Sequence, residues 1–109
     1  MEDSLNHSKT INELLGAKLA NRFWIVTKID KGAHGQILQA RDLTDNKDVA
    51  IKFMPRDEKH KNKFIRELNV FGKLEKMNPK PIGFPAFIYK GSTVYFNYYV
   101  MEILGCSLK

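Results

Sequence analysis

Hydrophobic and polar positions divide the chain into stretches with a period of two and one stretch with a helical period. Runs rich in aromatic and β-branched residues, typical of strands, occupy residues 23–29, 35–41, 48–54, 86–89 and 95–102. Residues 57–77 instead carry an apolar stripe at steps of three and four: Phe64, Leu68, Phe71 and Leu74. The pattern predicts the order βββαββ, an α+β fold in which a five-stranded antiparallel sheet packs against one helix.

The first 21 residues are more polar and predict an N-terminal extension, with the domain itself in residues 22–109. Four apolar residues recur in the extension at helical spacing: Ile11, Leu14, Leu15 and Leu19. We therefore expect a short helix on the edge of the domain. A helix that binds a partner is the alternative.

Composition and charge narrow the class of protein. Hydrophobic residues make up 43% and charged residues 28%, as in a globular domain. The net charge of +6 favours acidic or phosphorylated partners but is too small to indicate nucleic acid. No apolar run approaches the ~20 residues of a membrane span, and no secretory signal is seen. With the single cysteine, Cys106, these features predict an intracellular protein, cytoplasmic or nuclear, with no membrane or nucleic-acid partner.

Two features on the predicted strands suggest a phosphate ligand. The segment Gly32-Ala33-His34-Gly35 lies between two strands, where glycines let backbone amides approach a phosphate closely. A glycine hairpin without a ligand is an equally good interpretation. In the segment Val49-Ala50-Ile51-Lys52, strand alternation places Ala50 and Lys52 on one face of the sheet. A small residue beside a lysine leaves room for a flat ring and supplies a charge for a polyanion.

Glu67 decides between these interpretations. It falls on the apolar stripe of the predicted helix, so it faces the sheet, where a carboxylate is costly unless it is paired. We therefore predict an ion pair between Lys52 and Glu67. The alternative is a glutamate that bends out to water and pairs with Lys59 or Lys63 of its own helix.

Together these residues resemble the N-terminal lobe of a protein kinase, in which a glycine-rich loop precedes V-A-I-K and a helix glutamate. The segment Val100-Met101-Glu102-Ile103-Leu104-Gly105-Cys106-Ser107-Leu108 is similar to the fifth strand and hinge of the casein kinase I superfamily, whose pattern is close to V-M-E-L-L-G-x-S-L. The preceding Phe96-Asn97-Tyr98 resembles the tau-tubulin kinase branch. The resemblance starts near Arg22 and implies an incomplete kinase domain over residues 22–109.

The resemblance implies a role for each matching position. Lys52 would hold the α- and β-phosphates of ATP, and Glu67 would orient Lys52. The second and third glycines of the loop would be Gly32 and Gly35. Three apolar side chains would cover the adenine: Ile29, Ile37 and Ala50. Met101 would be the gatekeeper. The backbone of Glu102 and Leu104 in the hinge would hydrogen-bond the adenine edge.

The parent enzyme would transfer the γ-phosphoryl group of Mg-ATP to a serine or threonine hydroxyl of a protein substrate. Two departures stand against this. Asp30 replaces the first loop glycine and brings a negative charge near the phosphates. No H-R-D or D-F-G motif occurs, so we assign no metal ligand in this chain, place the Mg²⁺ ligands outside it, and expect it to be inactive alone. A non-catalytic pseudokinase or regulatory module, and a basic sheet domain binding nucleic acid, are the alternatives.

Overall fold

A six-stranded antiparallel sheet and one α-helix form the part of the chain that the computed structural model describes, which is residues 12–32, 35–77 and 86–103. Four strands precede the helix, which is α1 (Glu58–Lys76), and two follow it. The strands are β1 (Lys18–Leu19), β2 (Phe23–Gly32), β3 (Gly35–Asp42), β4 (Lys47–Pro55), β5 (Phe87–Ser92) and β6 (Phe96–Glu102). Their order in the sheet is β1-β2-β3-β4-β6-β5, so β4 lies between β3 and β6.

The α+β class and the helix are confirmed, but the sheet has six strands where five were predicted. The added strand is β1, which pairs with the start of β2. Among the described residues of the extension, Asn12–Leu14 forms a 3-10 helix of three residues, and the chain then enters β1; Ile11 lies outside the described residues. Leu14 and Leu19 are buried in the core beneath β2, so their spacing reflects docking onto the sheet. The division of the chain at residue 22 stays a prediction.

The two faces of the sheet bury different sets of residues. One face carries the larger core, to which β4 contributes Val49, Ile51 and Phe53. The opposite face packs against α1 through a smaller cluster: Met54, Phe64 and Tyr99, bordered by Leu68, Phe71, Phe87 and Met101. Because side chains alternate along a strand, Lys52 projects toward the helix, as predicted from the sequence.

Both ends of helix α1 carry side chains that stabilise helix termini. Asp57 is the N-cap, and its carboxylate accepts a hydrogen bond from the backbone N–H of His60 at 2.8 Å. Lys73 and Lys76 lie in the last turn, where cations interact favourably with the helix dipole. Among the described residues, no helix is long and apolar enough to cross a membrane.

A buried carboxylate stabilises the open end of the β2–β3 hairpin, where β2 begins and β3 ends. Asp42 is fully buried and accepts two hydrogen bonds from the guanidinium of Arg22, both at 2.9 Å. The backbone N–H of Thr44 donates to the same carboxylate at 3.0 Å. Bidentate pairing compensates for the burial of the charge. The hairpin therefore has a polar anchor at the end distant from its glycines.

Candidate functional site

The predicted ion pair between Lys52 and Glu67 is confirmed. Lys52 Nζ lies 3.1 Å from Oε1 and 3.2 Å from Oε2 of Glu67. About a fifth of each side chain is exposed, 20% for Lys52 and 22% for Glu67. The pair therefore lies at the boundary between the sheet–helix interface and solvent, where a ligand can reach the cation.

The secondary structure dictates where this pair forms. Lys52 lies in the middle of β4, in register with Ile37 of β3 and Tyr99 of β6. Glu67 is carried by the same face of α1 as Phe64 and Phe71, three residues before it and four after it. Because these two rings pack on the sheet, the carboxylate between them is held against β4.

Tyr99 is a third member of the site that the sequence did not predict. Its hydroxyl donates to Oε1 of Glu67 at 2.6 Å, and the residue is only 4% exposed. Lys63, one turn before Glu67, adds a longer contact of 3.6 Å from its Nζ to Oε2. The alternative interpretation is therefore right about Lys63 as a partner, but the carboxylate points to the sheet and not to water.

Electrostatics fix the protonation states in this cluster. Partial burial raises the pKa of Glu67, but hydrogen bonds from Tyr99 and Lys52 outweigh it, and the net pKa is below the ordinary value. Burial and the hydrogen bond to Glu67 raise the pKa of Tyr99 well above its usual range. At neutral pH Glu67 is therefore an anion that accepts, and Tyr99 is a neutral phenol that donates.

Three positions assigned to the adenine, Ile37, Ala50 and Met101, lie on the same sheet face as Lys52. Ala50 is in register with Met101, and Ile37 is in register with Lys52, so cross-strand pairing brings these side chains together. Ala50 is buried, while Ile37 and Met101 are half-buried. Ile29, on β2, is 50% exposed. The face thus offers a small residue flanked by apolar side chains, next to a cation.

The hinge and the glycine loop are described in part. The backbone N–H of Glu102 donates to the carbonyl of Ala86 at 3.0 Å, so this N–H is engaged by the chain itself. Leu104 lies outside the described residues. Gly32 and Gly35 are register partners at the end of the β2–β3 hairpin, and Asp30 is in register with Ile37.

The side chains of Ala50 and Lys52 suit a nucleotide, because one is small and the other is a cation. Ala50 and Lys52 are two positions apart on β4, which separates them by about 7 Å along the strand. A flat base at Ala50 would therefore have its phosphates on the side of Lys52. We assign no described residue the role of a Mg²⁺ ligand.

Comparisons with known proteins support the fold. No protein-family model matches the sequence. Chains from solved structures do match, 206 of them, and one is the crystal structure of a kinase domain, with a TM-score of 0.70 and 22% sequence identity. The match covers 85% of this chain and 27% of that chain, so the chain spans about a quarter of its length. The chain therefore has the fold of a kinase N-terminal lobe.

Proposed function

We propose that this chain is the ATP-binding lobe of a serine/threonine protein kinase similar to casein kinase I, in a cytoplasmic or nuclear setting. The observation that carries the proposal is the Lys52–Glu67 ion pair, formed on a fold of the kinase N-terminal lobe. When bound, Mg-ATP supplies the phosphoryl group, which the parent enzyme would pass to a hydroxyl of its protein substrate.

Each residue has a role in holding the nucleotide. Lys52 attracts the α- and β-phosphates, while Glu67 holds the Lys52 ammonium at the solvent-facing boundary of the sheet–helix interface. Electrostatic positioning of this type accounts for most of what a protein contributes to phosphoryl transfer. The remaining contacts are assigned to Ile29, Gly32, Gly35, Ile37, Ala50, Met101, Glu102 and Leu104.

A titration of the ¹⁵N-labelled chain with Mg-ATP tests the proposal. We expect saturable shifts of the amide resonances of Ala50 and Met101. Lys52→Met should weaken binding at least about tenfold, which corresponds to ~1.4 kcal/mol. Lys47→Met is the matched control, because Lys47 begins the same strand but lies five residues away. Equal affinity in the wild type and Lys52→Met, or no saturable shift in the wild type, would overturn the proposal.

A non-catalytic pseudokinase or regulatory binding module is the second candidate function. Asp30 favours it, because a carboxylate in place of the first loop glycine repels phosphate. The same titration separates the two candidates. A folded chain with no affinity for Mg-ATP is what the regulatory module predicts, whereas binding that depends on Lys52 is what the ATP-binding lobe predicts.

A further inference from the structure

Tyr99 makes the shortest polar contact in the candidate site, yet none of the roles assigned above uses it. The distance from its hydroxyl to Oε1 of Glu67 is 2.6 Å, against 3.1 Å from Lys52 Nζ to the same oxygen. A hydrogen bond to an ionised carboxylate is roughly twice as strong as one between neutral groups. The phenol is therefore a substantial anchor for this carboxylate.

The ring of Tyr99 also contacts the helix on both sides of Glu67. Its centroid lies 6.0 Å from the ring of Phe64 and 5.3 Å from the ring of Phe71, the latter edge-on at 66°. Phe64, Glu67 and Phe71 lie on one face of α1, so a single side chain of the sheet touches three successive positions of that face. This contact fixes the helix in rotation and in height relative to β6.

Lys52 is less able to fix the helix. Its side chain has four rotatable bonds and about a fifth of it is exposed, and ion pairs that reach solvent contribute little to stability. The phenol has two rotatable bonds and is packed between two rings, so it loses little further entropy when it donates. Tyr99 therefore contributes the larger share of the positioning.

We propose that Tyr99 is a positioning residue that holds Glu67, and with it α1, where Lys52 stays paired before a nucleotide arrives. The consequence for nucleotide binding rests on the proposed function, whereas the effect on Glu67 does not. Loss of the hydroxyl should therefore free the carboxylate first and weaken the site as a result.

The direct test is the titration of the Glu67 carboxyl carbon by ¹³C NMR in Tyr99→Phe. The variant removes one hydroxyl and leaves the ring, Lys52 and Lys63 in place. We expect the pKa of Glu67 to move upward from its lowered value, because a donor to the anion is lost. Tyr98→Phe is the matched control, since Tyr98 is equally buried but lies on the opposite face of β6.

The outcomes of this test are separable. An upward shift in Tyr99→Phe and none in Tyr98→Phe supports the proposal. Unchanged titration of Glu67 in folded Tyr99→Phe overturns it, even if the variant is less stable, because a purely structural role would lower stability alone. If Tyr99→Phe does not fold, the hydrogen bond between Tyr99 and Glu67 can be tested in the wild type by proton NMR. A slowly exchanging hydroxyl proton of Tyr99, lost in Glu67→Leu, supports the bond, and its absence from the wild-type spectrum overturns it.

Nucleotide affinity gives the functional readout. Mg-ATP should bind Tyr99→Phe about three- to tenfold more weakly than the wild type, since one positioning hydrogen bond is lost. Tyr98→Phe should bind as the wild type does. If the wild type binds no nucleotide, the proposed function fails, while the Glu67 titration still decides the role of Tyr99. If the wild type binds Mg-ATP and Tyr99→Phe binds it equally well, the positioning role is overturned, whatever the Glu67 titration shows.

Discussion

Lys52 and Tyr99 are register partners on β4 and β6, and both donate to the same oxygen of Glu67. One donor is a partly exposed cation and the other is a buried phenol, so a single helix carboxylate joins a solvent-facing group to the core. This arrangement holds α1 against β4 and β6. It also leaves the Lys52 ammonium at the edge of the candidate site, where a phosphate can compete for it.

Removal of the Glu67 carboxylate should cost more stability than removal of a neighbouring surface charge. In Glu67→Ala the buried hydroxyl of Tyr99 loses its acceptor, which costs about 1–3 kcal/mol of the free energy of unfolding. Lys52 can turn to water and adds little to this loss. Urea unfolding measures the difference. Arg66→Ala, on the exposed side of the same turn, is the control and should change stability by less than about 0.5 kcal/mol. Equal losses in both variants would contradict the prediction.

Asp30→Asn should raise the affinity for Mg-ATP. In water, two unit charges about 8 Å apart repel by ~0.5 kcal/mol, so removal of a charge of this kind is worth roughly twofold in Kd. The effect should shrink as salt is added, because exposed charges are screened. Isothermal titration at low and high salt measures it. Asp48→Asn removes the same charge from an exposed pair with Arg41 near the start of β4 and should leave the affinity unchanged. A gain of equal size in both variants would point to net charge and not to Asp30.

The chain should lose stability in acid through Asp42. Hydrogen bonds from Arg22 lower the pKa of Asp42, burial opposes this, and backbone N–H groups of Asp45 and Thr44 lower it further. The native pKa is therefore below the unfolded value of about 3.9. The stability that this group contributes is fully present above pH ~4 and is lost as the pH falls through the native pKa.

Urea unfolding from pH 7 to about pH 2.5 tests this dependence. Asp42→Asn should be less stable at pH 7, and its stability should fall less steeply below pH ~4. Glu67 has a lowered pKa as well and contributes with the same sign, so some slope should remain in the variant. An identical slope in the wild type and Asp42→Asn would show that Asp42 titrates alike in the folded and unfolded chain.

The sequence predicted the ion pair because two periodicities converge on it. Strand alternation predicts which side of the sheet Lys52 faces, and the helical stripe predicts which side of the helix Glu67 faces. Both predictions need only local geometry. Tyr99 was missed because its role depends on the register between β4 and β6, which no local pattern specifies. It lies in an aromatic run in which Tyr98 and Tyr99 look alike, although they face opposite sides of the sheet.

In the described part of the N-terminal segment, the helical spacing of the leucines also depends on a tertiary contact. Leu14 and Leu19 have helical spacing, but their burial comes from docking on β2, where Gly16 and Ala17 exchange backbone hydrogen bonds with Ile25. Gly16 has a φ of +83°, which a continuous helix would not allow. Isolated short helices are marginal, so a tertiary contact readily replaces one.

The purified 109-residue chain is expected to transfer no phosphoryl group by itself. Its sequence contains no H-R-D or D-F-G motif, so it offers no matched residue for the catalytic base or the metal ligands. Glu67 cannot replace the base, because its oxygens already accept from Lys52 and Tyr99 and its pKa is lowered. Incubation with Mg²⁺, γ-labelled ATP and casein as a generic substrate measures the activity. Labelling by the wild type that disappears in Lys52→Met would refute the prediction, whereas equal labelling by both would identify a contaminating kinase.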